Sequence, residues 1–104
     1  MIKITCKYFS TLYTFTKKEE ELFELVDGTT VDGFLDSLIH KYGSGITPHV
    51  YSEGFIEGNY YKTASVYLNN KRIQWVQDFP DGLRTKLKNN DIIILGLIMG
   101  GGSF

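Results

Sequence analysis

Hydrophobic and polar residues alternate through the first eight positions of the chain. The apolar side chains of this segment fall on one side of the alternation: Ile2, Ile4, Cys6 and Tyr8. A period of two with β-branched residues is typical of a strand that buries one face. After a polar stretch at 10–20, a second apolar run from Glu21 to Val26 ends at the turn pair Asp27-Gly28. The pattern therefore predicts two strands that form a hairpin with a long connection.

A helical period replaces this alternation in the next segment. Apolar residues recur at i, i+3, i+4, i+7, i+8 and i+11: Val31, Phe34, Leu35, Leu38, Ile39 and Tyr42. Such a stripe predicts an amphipathic helix with one face against a core. Thr29 is the predicted N-cap, and Asp32 is expected near the positive end of the helix. Gly43 is the predicted stop.

The second half of the chain is less regular. Residues 44–63 contain aromatic residues without a clear period, and the pattern leaves open whether they cover a sheet edge or form a short helical turn. Residues 64–68 predict a strand, Asn69-Asn70 a tight turn, and 71–76 a short return strand. Leu83 and Leu87 are expected to pack beneath the loop that follows. Ile92 to Leu95 do not alternate, which predicts a central strand buried on both faces.

The order of these elements predicts the fold class. The first and last strands are expected side by side, and a long crossover between them makes the pair parallel. We therefore expect an α+β protein of the β-grasp (ubiquitin-like) type, a mixed sheet of four to five strands with one main helix packed on one face. Residues 1–99 are the expected domain, and residues 100–104 are the expected flexible glycine-rich tail.

Composition narrows the function and the compartment. The chain has 104 residues, enough for one domain, and 42% of them are hydrophobic, enough for a packed core. A net charge of −1 argues against binding to nucleic acid or to an anionic membrane. A single cysteine excludes an internal disulfide, the N-terminus lacks a signal-peptide pattern, and no apolar run is long enough to span a bilayer. The cytosol is the expected compartment.

The sequence contains no recognisable catalytic constellation. His40 and His49 are nine residues apart without a Cys or carboxylate at ligand spacing, so no metal site is predicted. Cys6 follows the apolar positions of its strand, which favours a core residue over a nucleophile. A Ser-His-Asp spacing, a phosphate loop and a dinucleotide motif are absent from the sequence. We therefore expect that the chain is not itself an enzyme.

The most unusual segment is the C-terminal one. Three glycines, Gly100 to Gly102, directly follow an apolar run, and Ser103 and Phe104 come after them. Glycine has no side chain to bury and gives the backbone maximal freedom. Taken alone, this pattern fits either a frayed terminus or a thin segment that a partner's narrow channel accepts.

Several segments, in their order along the chain, resemble one family. They are the first strand with Tyr8-Phe9-Ser10-Thr11-Leu12, the stretch Asp27-Gly28-Thr29-Thr30-Val31, the helix residues Phe34-Leu35 and Tyr42-Gly43, the strand and turn Val66 to Lys71, the approach Gly82 to Asp91, and the glycine tail. Over nearly the whole chain they resemble the MoaD/ThiS family of ubiquitin-like sulfur carriers, which includes the small subunit of molybdopterin synthase. The family usually has Asn-Gly at the turn where this chain has Asn69-Asn70.

The resemblance implies a mechanism in which the carrier supplies no catalytic side chain. A ubiquitin-activating-type adenylating enzyme, which uses the ATP, activates the terminal glycine carboxylate, and sulfur then replaces AMP to give a thiocarboxylate. The large subunit of a sulfur-accepting synthase receives this tail, and no cofactor binds to the carrier itself. Because Ser103 and Phe104 follow the glycines here, we expect a processing peptidase to cleave after Gly102, with Gly101 as the alternative end.

The resemblance also implies docking residues. We expect an apolar docking patch beside the tail, made of five residues: Phe9, Leu68, Leu97, Met99 and Gly100. For the large apolar residues among them, packing in the core is the alternative role. A basic group is expected to meet an acidic partner surface, unless it is only a solvated face: Arg84, Lys86 and Lys88.

Two other functions stay open at this point. One is a ubiquitin-like modifier that is joined to lysines through the same glycine, and the other is a β-grasp interaction module with an inert tail. The pathway is also open between molybdenum or tungsten cofactor synthesis, thiamine synthesis, cysteine synthesis and tRNA thiolation, and the molybdopterin type is our first choice.

Overall fold

The structure is a computed structural model that describes residues 1–64 and 66–96, with side chains for all of these except 11, 52–54 and 61–64. Its helices and strands are β1 (Ile2–Tyr8), α1 (Ser10–Thr16), β2 (Glu20–Leu25), α2 (Val31–Tyr42), α3 (Thr47–Val50), β3 (Tyr51–Ile56), β4 (Asn59–Ala64), β5 (Val66–Leu68), β6 (Lys71–Arg72) and β7 (Ile92–Leu95). Short 3₁₀ turns lie at Ser44–Ile46 and Gly82–Arg84.

A mixed sheet of five strands forms the body of the molecule, in the order β2-β1-β7-β5-β6. Strand β1 pairs antiparallel with β2 and parallel with β7, and Tyr8 is opposite Leu95 in the parallel pair. Strand β5 pairs antiparallel with β7 on its other side. The predicted opening hairpin, the parallel first and last strands and the central position of the last strand are thus confirmed.

Helix α2 packs on one face of this sheet and closes the core. Its buried residues lie in one cluster with the inward residues of β1 and β7: Val31, Phe34, Leu35, Leu38, Ile4, Cys6, Ile93 and Leu95. The rings of Phe23 and Phe34 meet edge to face with centroids 5.0 Å apart. The helical stripe and the alternation of β1 are therefore confirmed as the two sides of one core, and Cys6 is fully buried within it.

The cap of α2 differs from the prediction by one residue. Thr30, not Thr29, is the N-cap, and its hydroxyl oxygen accepts a hydrogen bond from the Gly33 N–H at 3.0 Å. The Thr29 hydroxyl instead donates to the Val26 carbonyl at 2.6 Å. Adjacent threonines look equivalent in sequence, and only the path of the turn decides which one caps. Gly43 ends the helix as predicted.

Two segments fold differently from the sequence pattern. The polar stretch at 10–20, predicted as a connection, contains helix α1, which buries Leu12 against the core. Residues 44–63, which the pattern left open, form a 3₁₀ turn, helix α3 and most of a hairpin, and β3 and β4 pair in a two-stranded sheet of their own. Glu57 and Gly58 make the turn of this hairpin with φ of 51° and 81°.

The strand predictions near the end of the chain need two corrections. The return strand ends at Arg72 instead of Val76, because the chain turns there and the Trp75 N–H donates a hydrogen bond to the Arg72 carbonyl at 3.0 Å. Strand β7 is not buried on both faces, since Ile93 and Leu95 are fully buried but Ile92 is 37% exposed. The described residues form no second layer over Ile92. Asn69 and Asn70 make the predicted turn with positive φ, and Leu87 is buried as expected.

Candidate functional site

Strands β1 and β7 end together at one edge of the sheet. The Phe9 N–H donates to the Leu95 carbonyl at 2.9 Å, directly after the register pair Tyr8 and Leu95. Because the two strands are parallel, the chain leaves β7 at the same place where it leaves β1 for helix α1. The segment after Leu95, which contains the glycines, therefore starts beside Phe9. We call this edge the tail end of the sheet.

Gly96 makes the first step beyond β7 and lies against the backbone of Phe9. Its φ is +81°, and a Cβ atom at this position would be 2.2 Å from the Phe9 carbonyl oxygen and 3.2 Å from the Leu12 Cδ2. Both the positive φ and the close approach require glycine. Sequence reasoning missed Gly96. The available signal was a lone glycine at the end of an apolar run, which often marks a close approach of two backbones.

A half-open cleft of about 510 Å³ lies at the tail end. Its lining comes from the end of β1, the start of α1 and the start of β2: Lys7, Tyr8, Phe9, Ser10, Tyr13, Glu19 and Glu20. Phe9 and Tyr13 are 42% and 47% exposed. Ser10 has φ of +51°, a conformation that costs energy in a residue other than glycine. The tail end thus combines two partly exposed aromatic side chains with one residue in a strained backbone conformation.

Glu19 and Glu20, which line the cleft, differ from the next residue, Glu21, in how many partners their carboxylates have. Within the described residues, Glu19 and Glu20 form no ion pair, and Lys7 forms none either. Glu21 points to the other face of β2 and accepts hydrogen bonds from the Tyr8 hydroxyl at 2.9 Å and the Tyr42 hydroxyl at 2.7 Å.

Glu21 also takes two ammonium donors. Lys18 Nζ lies 3.2 Å from its Oε2, and Lys41 Nζ contacts the same oxygen. Burial raises the pKa of Glu21, but the hydrogen bonds from Lys41, Tyr42, Tyr8 and Lys18 together outweigh it and lower the pKa to about 2. Glu21 is thus a structural anion that ties β1, β2 and the end of α2 together beneath the tail end.

The described residues offer no reactive centre at this site. Cys6 is fully buried, and desolvation raises the pKa of its thiol to about 12, so it is a poor nucleophile. No group of His, Cys, Asp and Glu within the described ranges could hold a metal ion, and His49 packs its ring against Phe15 at 5.2 Å. None of the helices in the described part of the chain has the length and apolar character needed to cross a membrane.

Comparisons with known proteins give a consistent result for the fold. No protein-family model and no curated protein sequence matches the chain. A solved Pyrococcus furiosus structure is described as a molybdopterin converting factor subunit 1. It is 20% identical to this chain with a TM-score of 0.65, and the match covers 91% of this chain and 95% of the Pyrococcus chain. Small archaeal modifier protein 1 (SAMP1) from Methanosarcina acetivorans is 24% identical with a TM-score of 0.66, over 98% of both chains. The chain is a β-grasp protein.

A third solved structure agrees with these two. A chain of the Amycolatopsis orientalis BexX/CysO complex is 21% identical to this protein, with a TM-score of 0.59. The match covers 95% of this protein and 99% of the Amycolatopsis chain. The predicted resemblance to ubiquitin-like sulfur carriers is therefore confirmed at the level of the fold. By their names, these similar structures include a molybdopterin converting factor subunit and small archaeal modifier proteins.

The residues that were predicted to form one docking patch do not all lie in the same place. Phe9 lies in the cleft at the tail end, but Leu68 is 3% exposed and packs in the core, so it presents no surface. Most of the predicted tail and patch residues lie outside the described residues: Leu97, Met99, Gly100, Gly101, Gly102, Ser103 and Phe104.

The basic group lies at the opposite end of the sheet from the tail. Arg84, Lys86 and Lys88 are exposed, but they precede β7, and Lys86 forms a β-bridge with Thr30 at the start of α2. The Lys88 N–H donates to Asp91 at 2.7 Å, immediately before β7 begins. These three residues are therefore separated from Phe9 by the whole length of β7.

The outer face of the sheet carries an apolar surface that the sequence reasoning did not identify. Thr5 is opposite Leu22 on one side and Ile92 on the other, so the three residues form a row across β2, β1 and β7. Leu22 is 76% exposed and Ile92 is 37% exposed. The signal was the outward position of Leu22 in β2, where an apolar residue departs from the alternation.

Proposed function

We propose that this β-grasp protein is a sulfur carrier whose C-terminal glycine is converted to a thiocarboxylate. The observation that carries the proposal is the exit of the chain at Gly96, beside the exposed Phe9, with three glycines starting four residues later. A rigid body that ends in such a segment suits the delivery of a reactive group into a narrow site of a partner. The likeness in fold to a converting-factor subunit and to SAMP1 supports the same function.

The proposed chemistry needs no catalytic side chain on the carrier. The glycine carboxylate attacks the α-phosphorus of ATP on an adenylating enzyme of the ubiquitin-activating type, and pyrophosphate leaves. A sulfur nucleophile such as hydrosulfide then forms a C–S bond at the acyl carbon, the C–O bond to AMP breaks, and AMP takes the electron pair. Activation is required because a free carboxylate is a poor electrophile with no good leaving group. ATP is thus a substrate of the partner, and the carrier binds no cofactor.

Processing is part of the proposal. Ser103 and Phe104 follow Gly102 in this sequence, and a side chain as large as that of Phe104 does not suit a channel shaped for glycine. We infer that a peptidase cleaves after Gly102, and Gly101 is the alternative end. Mass spectrometry of the protein from its source organism tests this step, and finding only protein that extends through Phe104 in cells that use the pathway would contradict it.

Docking is proposed on the sheet and at its tail end. Leu22 and Ile92 supply exposed apolar area, and Phe9 continues that surface toward the tail. Leu97 and Met99, which follow Gly96 in sequence, belong to the same proposed set of docking residues. The second partner is the large subunit of a sulfur-accepting synthase, most simply one of the molybdopterin type, and we propose the cytosol as the compartment.

Conversion of the tail can be measured directly. The chain ending at Gly102 is incubated with the adenylating enzyme of the source organism, ATP and sulfide, and intact mass is recorded. We expect a gain of about 16 Da, because one oxygen is replaced by sulfur. The chain ending at Phe104 and a chain ending at Gly100 are the controls. A chain ending at Gly101 is tested in parallel, and unchanged masses for both the Gly102 and the Gly101 chains, with an enzyme shown to be active on ATP, would overturn the proposal.

A second function is favoured by one specific observation. Two of the similar solved structures, from Haloferax volcanii and Methanosarcina acetivorans, are named small archaeal modifier proteins. A modifier would form an amide bond between the same glycine and a lysine of another protein. The incubation above, repeated in a lysate, distinguishes the two functions, because lysine adducts mark a modifier and free thiocarboxylate marks a carrier.

A further inference from the structure

We propose that the cleft at the tail end binds an arginine side chain of the enzyme that adenylates the tail. The lining residues that bear on this proposal are two aromatic and two acidic ones: Phe9, Tyr13, Glu19 and Glu20. This inference rests on the proposed function, because it specifies the chemistry by which the partner recognises the carrier near its tail.

The location of the cleft makes contact with such a partner necessary. The chain leaves the sheet at Gly96, against the carbonyl of Phe9, and Phe9 is itself part of the cleft wall. Residues 97–102 reach at most about 20 Å when fully extended. A protein that holds the Gly102 carboxylate in a buried site must therefore lie close to the tail end, and its surface faces the cleft.

The aromatic walls favour a flat cation. Phe9 and Tyr13 are 42% and 47% exposed, and both line the cleft. A guanidinium group stacks on aromatic faces and is more weakly hydrated than an ammonium group. Arginine is also among the residues enriched at the energetic centres of protein interfaces.

The charges of the cleft point in the same direction. Glu19, Glu20 and Lys7 are among the lining residues, so the formal charge of the lining is −1, and Lys7 is directly opposite Glu20 in the register of β1 and β2. The carboxylate of Glu21, next in sequence, has four donors from this chain, whereas those of Glu19 and Glu20 have no ion-pair partner within the described residues. A guanidinium can pair with a carboxylate through two parallel hydrogen bonds. The cleft thus combines exposed aromatic side chains with exposed carboxylates that form no ion pair within the described residues.

The first test removes the two charges and keeps the shape. The double variant Glu19→Gln/Glu20→Gln is compared with Glu24→Gln/Glu57→Gln, in which two exposed carboxylates that do not line the cleft undergo the same change. Affinity of the Gly102 chain for the adenylating enzyme is measured at low and high salt. We expect the cleft variant to bind about tenfold more weakly, mainly through faster dissociation, and the control to stay within about twofold. Equal affinities for the two variants would overturn the proposal.

The second test does not depend on the tail. N-acetyl-arginine amide is added to the isotope-labelled chain, and amide signals are followed by NMR, with the uncharged citrulline analogue as control. We expect saturable shifts at Phe9, Ser10 and Tyr13 with the arginine compound, and much smaller shifts with citrulline. Equal responses, or none, would overturn the assignment of the cleft.

The same spectra separate the remaining alternatives. If the chains ending at Phe104 and Gly102 differ at the amides of Phe9, Ser10 and Tyr13, the chain's own C-terminus occupies the cleft and the proposal is wrong. If the arginine compound binds but the tail is never adenylated, the proposed function fails, and the partner named in this inference fails with it. The two failures are therefore distinguishable.

Discussion

The two ends of strands β1 and β7 are built differently. At the end where the strands begin, polar groups are paired: the Asp91 carboxylate accepts from the Asn69 side chain at 3.0 Å and from the Lys88 N–H at 2.7 Å, and Asn69 in turn accepts from the Ile92 N–H. At the tail end, Glu19 and Glu20 have no ion-pair partner in the described residues, and Phe9 is largely exposed. At the first end a hydrogen-bonded network surrounds Asp91, although the buried Oγ1 atom of Thr85, next to Lys86, forms no hydrogen bond in the part of the chain that the structure describes. At the tail end the described residues form no such network around Glu19 and Glu20.

This difference separates stability from function along a single pair of strands. A satisfied network of side chains and backbone groups fixes a loop in one conformation. Unpaired charges and exposed rings add nothing to the folded state alone, but they become useful when a second surface covers them. Gly96 and Glu21 belong to the tail end, but both stabilise the fold. Substitutions at these two positions therefore measure how strongly the fold supports the tail end.

The largest effect is expected from Gly96→Ala. The new methyl group would overlap the Phe9 carbonyl, and alanine is also strained at φ of +81°. We expect a loss of about 3 kcal/mol in the free energy of unfolding, measured with urea. Gly58→Ala is the matched control, because Gly58 has the same φ of +81° with no atom within 4 Å of the added group. It should lose only about 1 kcal/mol. Equal losses would mean that the contact with Phe9 is unimportant.

Glu21 predicts a specific dependence of stability on pH. Its pKa in the folded protein is about 2, below the ordinary value of 4.5, so the unfolded chain takes up the proton first as pH falls. Its contribution is complete above about pH 4.5 and is lost as pH drops toward about 2, by about 2 kcal/mol. Glu21→Gln should remove this part of the slope in urea unfolding at several pH values, and Glu24→Gln should retain it. A Glu21→Gln protein with the full slope would contradict the assignment.

The opposite end of the strands should matter for stability and not for transfer of the tail. Asp91→Ala removes the acceptor for Asn69 and for the Lys88 N–H in a largely buried place. We expect a loss of about 2 kcal/mol in the free energy of unfolding, while the rate of tail adenylation at a temperature where the variant is folded stays unchanged. Asp81→Ala, at an exposed position, is the control. A slower adenylation by folded Asp91→Ala would show that the two ends are coupled.

The sequence predicted those parts of the molecule that local periodicity determines. The alternation of Ile4 and Cys6 and the stripe of Phe34 and Leu38 each report one buried face, and the core followed from them. Helix α1 was missed because its sequence is short and rich in threonine and aromatic residues, which are poor helix formers, and the packing of Leu12 decides its conformation.

The candidate site was less predictable because its parts are distant in sequence. The approach of Gly96 to Phe9 depends on the parallel pairing of the first and last strands, and no local pattern contains it. The cleft likewise combines Tyr13 with Glu20 only because α1 folds back between β1 and β2. The tail was predicted from the ordered resemblance of several segments to one family, since its glycines alone also fit a frayed terminus, whereas the surface beside it required the tertiary structure.

The smallest effect is expected from the basic group. Arg84, Lys86 and Lys88 are exposed at the end of β7 that is opposite to the tail, so a partner that holds the tail meets them, if at all, only at the rim of the interface. Replacing all three by alanine should change the affinity for the adenylating enzyme by less than about twofold and alter only the salt dependence of association. Surface plasmon resonance at two ionic strengths measures both. A loss of tenfold or more would show that the partner spans the whole sheet, and that the paired end is also a docking surface.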